Sequence, residues 1–373
     1  MSGRLSSSAF RLGLRALRRL PAGMAYGLVE PTARLMVRRD KGGVPRLRAN
    51  LDRAVAPGHG LEALTRAGMA SYLRYWVECV RLQDWTPEMI DGSVRAVGTE
   101  PVLAELEAGR GVVCGLAHQG NWDLAGAWGC RNLAPVTTVA ERLEPAELFQ
   151  AFLEFREGLG MTVLALGDEG VFRDLYRAVK VGALVPLLMD RDLTGTGVPV
   201  DLFEREASFA GGPAALAEAT GALLFPVSIS YEQAPVNLRT GPESGYRTVI
   251  TFHPAVPPST AEQRGDRIAE RTQACADALA AGIAAAPQDW HMLQRVFVED
   301  LDPGRRSHHR GLGPEPEDEA AGGRSRLARA VGTTRGHRPD RNLRRAASAE
   351  HQHTGDVHVE DRPEPTSRTG ADP

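Results

Sequence analysis

Apolar residues recur at helical spacing over residues 61–82, where Leu61, Leu64, Met69, Leu73, Trp76, Val77 and Val80 follow an approximate 3.6-residue period. Pro87 and the Asp91-Gly92 pair then break the pattern. From residue 94 the chain changes character. Short β-branched and aliphatic runs at residues 94–97, 112–117, 136–140, 163–166, 184–189, 223–231 and 247–253 predict seven strands, with helical stretches between them. Strands alternating with helices predict an α/β fold: a central mixed sheet of about seven strands flanked by helices, with further helices at the N-terminus. A last helix is predicted within residues 267–285, where Ile268, Thr272, Cys275, Leu279 and Ile283 repeat at threes and fours, and Pro287 stops it. No internal repeat is present.

From residue 302 onward the apolar residues are isolated and never periodic, in a background of Arg, Gly, Pro, His, Glu and Ser. Such a segment cannot bury enough apolar surface to offset the entropy of ordering it, which predicts a disordered C-terminal tail. The expected organisation is therefore an N-terminal amphipathic, membrane-associating region over 1–90, an α/β core over 91–301, and a tail over 302–373.

The net charge of −3 argues against a general nucleic-acid binder, but the charge is unevenly spread. Residues 1–53 hold 12 Lys and Arg against 3 Asp and Glu, a bias suited to an anionic surface. Over residues 6–20, Phe10, Leu14 and Leu17 fall on one side of a helical wheel and Arg11, Arg15, Arg18 and Arg19 on another. That pattern fits an interfacial helix, a helix packed on the body with a solvated basic face, or an Arg- and Ser-rich presequence. No run of 18 apolar residues and no signal-peptide pattern occurs, so a cytoplasmic chain, at most peripheral to a membrane, is expected. Cys79, Cys114, Cys130 and Cys275 are scattered and form no C-x-x-C pair, which predicts reduced structural thiols and no zinc site.

Six of the ten histidines lie in the tail, leaving His59, His118, His253 and His291 as bases in the folded body. His118 follows the strand predicted at 112–117 and opens the stretch His118-Gln119-Gly120-Asn121-Trp122-Asp123, which leads into a helical run. Function in α/β folds concentrates at such strand ends. Residues five apart on one helix are separated by about 140° and do not touch. A turn through Gly120, with Asn121 as N-cap, would let Asp123 in the first helical turn reach back to the imidazole. An Asp on one ring nitrogen fixes the tautomer and frees the other nitrogen to take a proton. The spacing alone is a weak signal and favours a buried histidine satisfied by a capping Asp. Asp190, Arg191 and Asp192 follow another predicted strand and could bring a carboxylate near His118, or form an ordinary ion-paired turn. No nucleophile elbow, Walker A loop or G-x-G-x-x-G occurs, and Gly195-Thr196-Gly197 reads as a turn.

Several separated segments together resemble the bacterial phosphatidylinositol mannoside acyltransferases of the lipid A acyltransferase-like and lysophospholipid acyltransferase superfamily. They are LRANL at 47–51, HQGNWDLAG at 118–126, AERL at 140–143, Phe155-Arg156 with Leu159-Gly160-Met161, MDRDLTGTG at 189–197, GPAALA at 212–217 and WHMLQ at 290–294. The resemblance runs from about residue 10 to 302. It implies a glycerol-3-phosphate acyltransferase-like fold and catalysis by His118 and Asp123, with Asp192 as a further acid. It also implies active-site roles for Glu141 and Arg156, with Arg142 and Arg191 beside them. The donor implied is acyl-CoA, with palmitoyl as the expected chain. The acceptor is a mannosylated phosphatidylinositol, met at the cytoplasmic face of the plasma membrane, and no metal or bound cofactor is required. On this view His118 deprotonates a sugar hydroxyl, and backbone N–H groups at Gly120 and Asn121 or the Arg156 guanidinium meet the oxyanion. CoA then leaves without a covalent acyl-enzyme. Gln119 and the segment EREASFA at 204–210 depart from the family pattern, as does the long tail. A lysophospholipid or another glycolipid is the alternative acceptor. A catalytically silent lipid binder is the third reading, although such a protein would be expected to lack His118 or Asp123.

Overall fold

The computed structural model describes residues 17–301, except 57, 59, 144, 194 and 236–241. All of them belong to one compact unit spanning residues 1–313. The tail expected from residue 302, and most of the basic segment at 6–20, lie outside the described residues.

Helices Ala22–Gly27, Val29–Arg39 and Val44–Ala54 precede the long helix Leu61–Leu82, and their apolar faces close a small core around Ala33, Val37, Leu47, Leu51 and Met69. Leu17 and Leu20 pack on this core, and Arg18 donates to Asp84 and Gln83, so the described end of the basic segment is held on the body. The break expected after residue 82 is a short helix, Pro87–Gly92, capped by the Thr86 hydroxyl with Pro87 in its first turn. No helix among the described residues is long and apolar enough to cross a membrane.

All seven predicted strands form: β1 (Val94–Val97), β2 (Val112–Leu116), β3 (Thr137–Ala140), β4 (Thr162–Ala165), β5 (Leu184–Leu188), β8 (Leu224–Gln233) and β9 (Tyr246–Phe252). They do not make one seven-stranded sheet. Five assemble as β1-β9-β8-β2-β5, with β9 antiparallel to β8 and the other neighbours parallel. β3 and β4 pair with each other and reach the sheet through a bridge between Val136 and Leu184.

Two strands were not predicted: β6 (Val198–Leu202) and β7 (Arg205–Phe209) form an antiparallel hairpin whose two-residue loop is Phe203-Glu204. Both loop residues sit at positive φ, 55° and 60°, which a tight hairpin with the strand twist requires and which side chains other than glycine resist.

Alternation along the central strands feeds two cores. Val113, Ala117, Val185, Leu187 and Met189 face a layer with helices Val171–Lys180, Gly212–Thr220 and Arg264–Ala285. Val112, Cys114, Leu116 and Leu184 face the opposite layer, which holds helix Trp122–Asn132 and the end of Leu61–Leu82. β2 is buried along its whole length, as expected of a parallel strand covered on both faces.

Candidate active site

β2 and β5 are parallel neighbours in a register that pairs Leu116 with Leu188. His118 and Asp190 each lie two residues beyond that pair, so the topology brings them together at the carboxyl end of the sheet. Asp190 Oδ1 stands 2.6 Å from His118 Nδ1, and its Oδ2 accepts from the His118 backbone N–H and from Trp290 Nε1, both at 2.9 Å. Asp190 is fully buried. Burial alone would raise its pKa, but the neighbouring imidazole and the hydrogen bonds from His118 and Trp290 outweigh it and hold the carboxyl below its usual range. A charged carboxylate only accepts, which assigns the proton to Nδ1 and leaves Nε2 as the basic lone pair. The His118 side chain keeps 26% of its surface exposed. No described residue hydrogen-bonds Nε2.

The turn forms as the sequence suggests. Gly120 adopts φ 61°, and a Cβ there would meet the Ile229 carbonyl oxygen at 2.6 Å. Asn121 caps helix Trp122–Asn132 by accepting from the Leu124 N–H, and Asp123 lies in its first turn. The expected bond from Asp123 to the imidazole is nevertheless not formed. Asp123 accepts instead from Arg156 Nε at 2.6 Å, from the Tyr75 hydroxyl at 2.9 Å and from the Cys79 thiol at 3.6 Å. The partner of the histidine is thus Asp190, and Asp123 anchors Arg156. Burial opposes the charge on Arg156, but the adjacent Asp123 carboxylate prevails and keeps it protonated. The Gly120 N–H, expected to be open to an oxyanion, donates to the Asp289 carbonyl.

The remaining candidates are spread around this centre. Glu141, at the end of β3, lies 3.3 Å from Arg191, next to Asp190. Arg142 turns away to pair with Asp168 and covers the Phe149 ring. Asp192 accepts from the Gly195 N–H and shapes the turn into β6.

The WHMLQ segment packs against the His118 turn, a contact that periodicity did not expose. The His291 N–H donates to the His118 carbonyl, Gln119 bridges Trp290, and the Asn50 amide clamps the Met292 and Gln294 carbonyls at 2.8 Å each. The Ser71 hydroxyl lies 2.7 Å from Asp289 Oδ1 and 2.9 Å from His291 Nε2. Ser71 has one proton to give. Donated to the carboxylate, it makes Nε2 of His291 the protonated nitrogen and leaves Nδ1 a buried acceptor with no described partner. Burial pushes Asp289 up to about 6 and His291 down to about 3. Glu78, also buried, accepts from Asn121 and from the Tyr231 hydroxyl, and burial raises it above the usual carboxyl range despite those bonds. Asn50 and His291 could be found only through the segments that carry the resemblance; Ser71 and Glu78, on the long helix, and Asp289, just before WHMLQ, had no signal of their own.

Beside Asp123 and Arg156 an apolar cavity opens between helix Trp122–Asn132 and the sheet, with about 700 Å³ of non-atom space including its open mouth. Cys114, Leu116, Leu184, Leu188, Val227, Ile229, Ile250 and Phe252 supply its sheet side, and Ala125, Gly126 and Gly129 leave room on the helix side. Apolar walls with a few polar groups at one end are the usual make-up of a small-molecule site.

Comparison with known proteins shows the family. The family described as bacterial lipid A biosynthesis acyltransferase matches residues 5–299. A phosphatidylinositol mannoside acyltransferase of Mycolicibacterium smegmatis (strain ATCC 700084 / mc(2)155) is 38% identical over 315 residues, 82% of this chain and 96% of that one. A protein of the same description from Mycobacterium tuberculosis (strain ATCC 25618 / H37Rv) is 38% identical over 308 residues, 81% and 92% of the two chains. The crystal structure of a 1-acyl-sn-glycerophosphate acyltransferase from Thermotoga maritima aligns with 69% of this chain and 97% of that one at 15% identity, with a TM-score of 0.34, a level that does not establish likeness of fold. The chain belongs to the bacterial lipid A biosynthesis acyltransferase family and is an acyltransferase.

Proposed function

We propose that the enzyme transfers a fatty acyl group, palmitoyl in the expected case, from acyl-CoA to a mannose hydroxyl of a phosphatidylinositol mannoside. The observation that carries this is the His118 imidazole, held by Asp190 with Nε2 open, on the sheet face that also carries an apolar cavity ending at Asp123 and Arg156. The relatives' activity supplies the acceptor.

In this reading Nε2 takes the proton of the sugar hydroxyl as its oxygen attacks the thioester carbonyl. The resulting imidazolium is stabilised by Asp190, and CoA leaves as the thiolate when the tetrahedral intermediate collapses, with no covalent acyl-enzyme. Asp123 serves by holding Arg156, whose charge, with the N–H groups that open helix Trp122–Asn132, meets the oxyanion. Asp192 and Glu141 with Arg191 shape the acceptor side, and Arg142 lies at its edge. The cavity takes the acyl chain. The basic N-terminal region brings the enzyme to an anionic membrane as a peripheral protein at the cytoplasmic face of the plasma membrane.

The test is release of free CoA thiol from palmitoyl-CoA by the purified protein, with mannosylated phosphatidylinositol or a lysophospholipid supplied in parallel. Release dependent on the mannolipid is expected. Release with the lysophospholipid alone would keep the chemistry and overturn the acceptor.

A further inference from the structure

Arg74 differs from the other sheltered arginines of the fold in what holds it. Arg53, Arg81 and Arg156 each donate to a carboxylate, Asp300, Glu243 and Asp123 respectively. Arg74 makes no hydrogen bond or ion pair with any described residue. Its guanidinium packs instead on two aromatic rings, 3.8 Å from the centroid of Tyr246 and 4.9 Å from that of Tyr231. Cation–π contacts use the flat face of a guanidinium and leave its in-plane N–H donors for a further ligand.

The cradle is fixed in place. The Tyr231 hydroxyl donates to Glu78 at 2.6 Å and its backbone N–H to Asp289 at 2.8 Å, while the two tyrosine rings stand edge to face. Buried Glu78 and Asp289 both feel the charge of Arg74, but neither bonds to it: Asn121 and Tyr231 donate to Glu78 Oε2, and Ser71 and the Tyr231 N–H donate to Asp289. A simple counter-charge would be expected to form the bidentate contact that Arg81 makes with Glu243.

The position fits a substrate. Tyr231 and Tyr246 lie at the end of β8 and the start of β9, the same rim of the sheet as His118, and Ile229, two residues before Tyr231, is the residue against which Gly120 packs. Arg74 shares one face of the long helix with Ser71, Tyr75 and Glu78, which hold His291, Asp123 and Asn121. Arg74 therefore stands on the β8–β9 side of the base, and Asp190 on the β5 side.

We propose that Arg74 is the docking point for the phosphodiester anion of the acceptor lipid. This rests on the reading of the acceptor as a mannosylated phosphatidylinositol, in which a single inositol ring separates the phosphate from the mannose. The same phosphate chemistry is carried by CoA, so the test must separate the two sources. Steady-state rates of the full-length enzyme are measured with mannosylated phosphatidylinositol and with a neutral alkyl mannoside, and the KM for palmitoyl-CoA is measured alongside. The variants are Arg74→Gln and Tyr246→Leu, with the thermal midpoint as a check of folding.

The kcat/KM preference for the charged over the neutral acceptor is expected to fall about tenfold in Arg74→Gln, the scale of one charge-assisted hydrogen bond. A smaller fall of the same kind is expected in Tyr246→Leu, which loosens the cradle without touching the buried carboxylates. An unchanged preference in both variants would make Arg74 a structural counter-charge and overturn the proposal. A raised KM for palmitoyl-CoA with an unchanged acceptor preference would assign the anion to the donor and overturn it equally. Wild-type enzyme that acylates the neutral mannoside or a lysophospholipid but not the mannosylated phosphatidylinositol would remove the reading of the acceptor, and the proposal with it.

Discussion

Two aspartates near His118 make separate contacts, and the proposed mechanism gives them separate roles. Asp190 touches the imidazole, whereas Asp123 touches Arg156 and Tyr75. Asp190→Asn preserves volume and removes the charge that orients and stabilises the imidazolium, so kcat should fall by about 10²–10⁴-fold with little change in acceptor KM. Asp123→Asn weakens the hold on Arg156, so transfer should fall while the hydrogen bond to His118 Nδ1 persists, which proton NMR of the ring N–H can follow. Buried Asp289 gives a second residue-level prediction. Its pKa is raised by burial to about 6, so between about pH 4 and 6 the folded state binds a proton that the unfolded state has released. Its contribution to stability is present below the unfolded value and is lost as pH rises through about 6. Relative to Asp289→Asn, the wild type should therefore lose ~1.4 kcal/mol per pH unit across that window, read by denaturant unfolding at pH 4.5 and 5.5. His291, pushed down to about 3, has the opposite slope over about pH 3 to 6.5 and is common to both proteins.

At the scale of elements, the hairpin β6–β7 turns on two non-glycine residues at positive φ. Phe203 packs against Trp290, so it has a reason to be there; Glu204 is exposed. Glu204→Gly should relieve the backbone and stabilise the fold by about 1 kcal/mol, measured as a shift in denaturation midpoint. The same loop explains why this hairpin was illegible. Its turn lacks glycine, Pro199 interrupts the run in β6, and Gly195 and Gly197 draw attention to a turn just before it. The other seven strands were legible because apolar β-branched runs stand between helical stretches. Their pairing was not: whether β3 and β4 join the sheet depends on contacts at Val136 and Leu184 far apart in the chain. For the same reason spacing could point only to a carboxylate after β5; the resemblance favoured Asp192, whereas the carboxylate on the imidazole is that of Asp190. The choice follows from the parallel register that sets Leu116 against Leu188. Asn121 and Gly120 were legible because caps and left-handed turns are local chemistry.

For the molecule as a whole, the sheet divides the work between its faces. One face carries a filled core, and the other leaves a cavity because helix Trp122–Asn132 presents Ala125, Gly126 and Gly129 toward it. A Cβ at Gly129 would stand 3.5 Å from Leu184 and Val136, an ordinary contact, so larger side chains there grow into the cavity. If the acyl chain lies in this space, Gly129→Val should favour shorter acyl-CoA donors over palmitoyl-CoA, by about 0.8 kcal/mol for each methylene displaced. Competition between donors of two lengths measures that shift. The central claim is that His118 is the base for acyl transfer to the mannolipid, and its most direct test is the mass of the lipid product formed from palmitoyl-CoA and mannosylated phosphatidylinositol by wild-type and His118→Ala enzymes. The account predicts one palmitoyl group added to the mannolipid by the wild type, and a rate about 10²–10⁴-fold lower for the variant. The same product at a similar rate from folded His118→Ala protein would contradict it.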